Sequence, residues 1–124
     1  MKSLKLTIIF LSLFCVAFAQ DLSLKNLTVD HKINPVGVDN KQPRFSWKIK
    51  SIGNNILQTA YLLRVASDEK FSSIVWQSSK VETNESILQA YKGPELRSGQ
   101  RYFWEVKIWD NKDVESKWSQ PAYW

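Results

Sequence analysis

Three carboxylates crowd the stretch "DNKDVE": Asp110, Asp113 and Glu115. A carboxylate pair can serve as general acid and base, and clustered carboxylates can hold Ca²⁺. This run, however, lacks the spacing and the glycine of a calcium loop. It lies in a polar segment after an apolar one, which predicts a hairpin turn whose charges face water. Other chemistry-bearing residues are sparse. His31 is the only histidine and Cys15 the only cysteine, so no histidine-based metal cluster can form, and no serine has an evident activating partner. Asn26-Leu27-Thr28 and Asn84-Glu85-Ser86 have the form of glycosylation sequons, which matter only in a eukaryotic host. No catalytic, cofactor-binding or metal-binding residue is assigned.

The elements that position these residues read as β-strands. In "RFSWKIK", Phe45, Trp47 and Ile49 alternate with Arg44, Ser46, Lys48 and Lys50, the period of a half-buried strand. "QTAYLLRVAS" sets Tyr61, Leu63 and Val65 against Leu62, Arg64 and Ala66. "RYFWEVKIWD" sets Tyr102, Trp104, Val106 and Ile108 against Phe103, Glu105, Lys107 and Trp109. Weaker strands are expected at Leu22–Val29, Ile74–Ser78, Ser86–Ala90 and Gln120–Trp124, with turn residues between them. The expected fold is all-β, a seven-stranded antiparallel sandwich of the fibronectin type III or immunoglobulin-like class. Its core is Phe45, Trp47, Tyr61, Leu63, Val65, Trp104, Val106 and Ile108.

The chain opens with Lys2 and Lys5, an uncharged apolar run from Leu6, and Ala17-Phe18-Ala19. This is the pattern of a cleaved signal peptide over residues 1–19, leaving one domain at residues 20–124 that is secreted or periplasmic. The apolar run is short for a membrane-spanning helix. Cleavage removes Lys2, Lys5 and Cys15, taking the formal charge from +5 to +3 and leaving neither a disulfide nor a thiol. The remaining charges are interspersed, so the high pI does not indicate nucleic acid.

"LRSGQRY", Leu96 to Tyr102, narrows the class. A leucine, a tight turn at Gly99 and a tyrosine at a strand start resemble the tyrosine corner of fibronectin type III domains, where the hydroxyl bonds back to the preceding loop. "NPVGVDNKQPRFSW", "QTAYLLRVASD", "IVWQSSKV" and "YFWEVKIWDN…SKWSQPAYW" together resemble the N-terminal fibronectin-like domain of bacterial α-L-rhamnosidases of glycoside hydrolase family 78. The likeness runs from about Leu22 to Trp124. It departs at Gln77-Ser78-Ser79, where the family often has Asp-Ser-Gly, and at Asp113, where it often has glycine. Asp tolerates the left-handed conformation better than most residues, so the hairpin is expected to survive. The resemblance implies a non-catalytic module of an exported enzyme that hydrolyses terminal α-L-rhamnosides with inversion on a separate (α/α) barrel. A family enzyme is several times longer, so the expectation is a fragment, inactive alone, with the neighbouring domains of the parent glycosidase as its partners.

With Trp104 inside, alternation turns Phe103 and Trp109 outward, with Leu62 on the adjacent strand. Three uses compete for such an apolar patch: docking against the next domain, stacking of a rhamnose-containing glycan, or simple cover by long side chains such as Lys107 and Arg64. Docking is preferred, because the resemblance supplies a neighbour and because charges alternate with the aromatics. A free-standing secreted carbohydrate-binding or protein-interaction module is the alternative.

Overall fold

The structure, a computed structural model, describes residues 22–124. The expected signal peptide lies outside the described residues. Seven strands form: β1 (Leu22–Val29), β2 (Arg44–Ser51), β3 (Gln58–Ala66), β4 (Ile74–Gln77), β5 (Gln89–Ala90), β6 (Phe103–Asp110) and β7 (Ala122–Tyr123). They make two antiparallel sheets, β1-β2-β5 and β4-β3-β6-β7, the expected sandwich.

Alternation places the core as the sequence implies. Phe45 and Trp47 from β2 meet Tyr61, Leu63 and Val65 from β3 and Trp104, Val106 and Ile108 from β6, all buried. Large rings fill the gap between sheets. Phe45 lies 4.6 Å from Trp104 and 5.6 Å from Trp124, Trp124 stacks on Tyr102 at 5.4 Å, and Trp47 meets Tyr61 edge-on at 5.0 Å. Such pairs add about 0.5–1.5 kcal/mol each beyond the area they bury.

One polar hub joins the sheets. The Trp47 indole N–H donates to Gln58 Oε1, and Gln58 Nε2 donates to the carbonyls of Thr83 and Glu85. A buried amide so satisfied adds direction to a core that apolar contacts alone leave interchangeable. At the far end of the chain the tyrosine corner forms: the Tyr102 hydroxyl accepts a 2.7 Å hydrogen bond from the Arg97 amide. Gly99, at φ +76°, supplies the left-handed turn between them.

Of the weaker strands, Leu22–Val29 forms with the expected bounds and the other three are shorter than expected. Ser86–Ala90 contracts to Gln89–Ala90, because Leu88 takes a left-handed φ of 52° and its amide bonds Ser46 Oγ instead of a backbone carbonyl. Gln120–Trp124 contracts to Ala122–Tyr123, since Pro121 has no N–H. Upstream of it, Ser116 and Ser119 pair with β6 through both amide and hydroxyl: their Oγ atoms accept from the Ile108 and Val106 amides. Ser78 does the same for Leu63 beside β4, which ends one residue before the expected Ser78.

The 110–115 hairpin turns with Asp113 at φ 56°, as expected of an aspartate standing where glycine is usual. Asp110 departs from the expectation of a solvated turn charge. It is fully buried, and its Oδ1 accepts from the Lys112 and Val114 amides, so the carboxylate closes the turn from inside. Chain direction is set as well. Leu22 pairs with Ser51 at one end of the sandwich. Trp124 pairs with Tyr102 at the other, beside the loop that joins β1 to β2.

Candidate functional site

The outer face of the β4-β3-β6-β7 sheet carries every residue proposed for a contact surface. Antiparallel register sets Leu62 opposite Lys107, Arg64 opposite Glu105, and Ala60 opposite Trp109. The side chains of Leu62, Phe103 and Trp109 therefore do share a face, but all three are half-buried. On this face cations lie over the Trp109 ring, while Phe103 packs beside Tyr123.

The cover is ordered. Arg64 places its guanidinium 4.9 Å from the Phe71 ring and 4.2 Å from the Trp118 ring. Lys107 Nζ lies 4.8 Å from Trp118 and 5.7 Å from Trp109, and Lys80 Nζ lies 4.5 Å from Trp109. Phe71, Arg64, Trp118, Lys107, Trp109 and Lys80 thus form a row in which rings alternate with cations. Each contact contributes roughly 0.5–1 kcal/mol where exposed and more where water is excluded. Arg101 repeats the arrangement on Tyr123 at 4.4 Å, with Phe103 beside it.

Two carboxylates lock the row. Glu105 pairs with Arg64, and Glu115 with Lys107. Glu105 was expected on a solvent face, yet it is only 4% exposed, because Arg64 lies over it on the adjacent strand. Burial pushes its carboxyl above the ordinary 4.5, and the Arg64 hydrogen bond and charge pull part of the way back. Three further acidic groups are engaged in the fold. Asp30 holds the Arg44 amide and the Asn40 side chain, Asp68 accepts from Ser72 and Ser73, and Glu95 pairs with Lys41.

Sequence reasoning placed Leu62, Phe103 and Trp109 on one face and named Lys107 and Arg64 as possible cover. It missed Trp118, Phe71 and Lys80. Trp118 follows the serine-paired stretch, where the two-residue period fails, and Phe71 belongs to a loop whose path no periodicity describes. The one available signal was "KWS" shortly after the turn: a tryptophan beside serines able to bond a neighbouring backbone.

The fold and this face define an immunoglobulin-like sandwich domain. Residues 24–124 match the Rha78A-like N-terminal immunoglobulin domain, and the chain belongs to that family. It is similar to an α-L-rhamnosidase of Formosa agariphila, 34% identical over 98% of this chain and 14% of that protein. It is also similar to one of Streptomyces avermitilis, 39% identical over 83% of this chain and 10% of that protein. The crystal structure of the Streptomyces avermitilis enzyme complexed with L-rhamnose superimposes with a TM-score of 0.80, the match covering 83% of this chain and 10% of that one. The α-L-rhamnosidase of Dictyoglumus thermophilum, 38% identical, gives 0.75 over 82% of this chain and 12% of its own. The chain therefore spans between 10% and 14% of the length of the curated relatives it matches.

Proposed function

We infer that this chain is the non-catalytic N-terminal module of an exported α-L-rhamnosidase, supporting the neighbouring domains structurally. The observation that carries the reading is the extent of the match: the module's own fold accounts for nearly all of this chain and about a tenth of each relative. The engaged carboxylates agree with it, since acid–base hydrolysis of a glycoside needs two carboxyl groups free to flank a sugar. Glu105, Glu115 and Asp110 are instead committed to Arg64, Lys107 and a turn.

The alternative, a glycan platform, needs a free ring face. Trp118 has Arg64 and Lys107 over its ring, and Trp109 has Lys80 and Lys107. That occupation favours support over sugar stacking. The test is hydrolysis of an aryl α-L-rhamnoside by the purified chain, beside a relative with and without its matching domain. The reading expects no turnover by the chain and a lowered melting temperature on deletion; turnover by the chain alone would overturn it.

A further inference from the structure

Large apolar side chains are exposed in several places away from the cation–ring row, Ile52, Leu57 and Ile87 among them, and one group is marked by its position in the chain. At the end of the sandwich where Trp124 sits, residues 35–41 and 96–102 enclose a groove of about 470 Å³. Val38, Leu96, Tyr102 and Trp124 line it and belong to the core or pack against it. Val36, on its rim, is 88% exposed, and nearby Ile33 is 71% exposed.

The groove is held open by the fold. Asn34, at φ 42°, accepts the Tyr123 amide on its Oδ1, so the loop is tied to the last strand. Asn40 bonds Asp30 and the Gln42 amide, and Lys41 pairs with Glu95 across the groove's two loops. A pre-set loop displaying valine and isoleucine to water presents a surface whose contact requires little reordering. Position identifies the occupant. In relatives seven to ten times longer than the matched stretch, an N-terminal domain hands the chain on from its last strand, and here that strand ends beside this groove.

We propose that this end groove is the seat of the domain that follows the module in α-L-rhamnosidases, an apolar side chain of that neighbour entering between Val36, Val38 and Leu96. The proposal rests on the supporting role inferred above and gives it a location. The rim matches an inter-domain surface: an apolar centre with Asp39, Arg97 and the Lys41–Glu95 pair around it.

The experiment places residues 22–124 in the Streptomyces avermitilis enzyme in exchange for its matching domain and follows amide hydrogen exchange. Residues 35–41 and 96–102 should exchange at least about tenfold more slowly in the chimera than in the 124-residue chain. Val36→Lys should abolish that protection and lower the chimera's melting temperature. Because Val36 is solvent-facing, the same change should leave the melting of the chain alone untouched. Unprotected loops in a chimera that nonetheless depends on the module would overturn the location and leave the supporting role standing. If deleting the module altered neither melting nor activity, the supporting role itself would fall. Protection that appeared in the chain alone and grew with its concentration would identify a second copy as the occupant and overturn the proposal.

Discussion

The Trp47 indole reaches across from β2 to Gln58 on β3, its N–H 2.9 Å from Oε1. Because Gln58 is 4% exposed and also bonds two carbonyls of the 83–85 segment, removing its amide leaves three buried or half-buried groups without partners. Each such loss costs about 1–3 kcal/mol. Gln58→Leu, similar in volume, should lower the unfolding free energy by at least about 2 kcal/mol in urea titration. A midpoint unchanged from the parent would show that water replaces the amide and that the hub contributes little.

Trp104 is fully buried, and Phe45 packs on it at 4.6 Å. Truncating a buried tryptophan costs about 3–5 kcal/mol, a large share of the roughly 5–15 kcal/mol that keeps a domain folded. Trp104→Ala and Trp47→Ala should each abolish the cooperative melt or lower it severely. A variant melting within a degree or two of the parent would contradict the core described here.

Glu105 gives a pH signature. Its carboxyl titrates above the ordinary 4.5 because burial penalises its charge more than Arg64 compensates. The folded state therefore binds this proton more tightly than the unfolded chain does. The associated stabilisation is fully present below the unfolded value and is lost as pH rises through the folded one. Relative to Glu105→Gln, which cannot titrate, the parent should gain stability as pH falls from 7 to about 4. A difference that stays flat, or shrinks with acid, would mean that the Arg64 pairing dominates instead.

The cation–ring row makes a separate prediction. Trp118→Ala removes the ring shared by Arg64 and Lys107, and should cost more than Phe71→Ala, which removes the ring at the row's end that meets Arg64 alone. The expected difference is on the order of 1 kcal/mol. Phe103→Ser with Trp109→Ser should leave the domain folded, since neither ring is in the core cluster. Loss of the fold in that double variant would make the outer face as structural as the interior.

Tyr102→Phe isolates the corner. It deletes only the hydroxyl that receives the Arg97 amide, and should cost about 0.5–1.5 kcal/mol while leaving the ring stacked on Trp124. Chemical denaturation is the suitable measurement, and a neutral result would reduce Tyr102 to an ordinary core aromatic.

These cases also mark what a sequence can disclose. Trp47, Leu63 and Trp104 were legible because a strand's two-residue period is fixed by backbone geometry. The corner was legible because Leu96, Gly99 and Tyr102 hold a turn-specific spacing. Glu105 was not, since its burial depends on Arg64, a partner forty-one positions away that only register brings alongside. Asp110 misled because an acid at a turn faces water unless adjacent amides take it, and here two do. Trp118 was hidden where serine hydroxyls replace the regular ladder and the period is lost.

The same irregularities govern how the sheets end. β1 is interrupted by a register shift around left-handed Asn26, β4 has three paired residues, β5 and β7 two each, and Pro121 adjoins the last of these. Among the described residues, the borders formed by β4, β5 and β7 are brief and that of β1 is bent, so none offers a long straight row of amides and carbonyls to a stranger's strand. A β-rich chain with this many aromatics is thereby made a poor template for fibrils, and copies should tolerate crowding without zipping together.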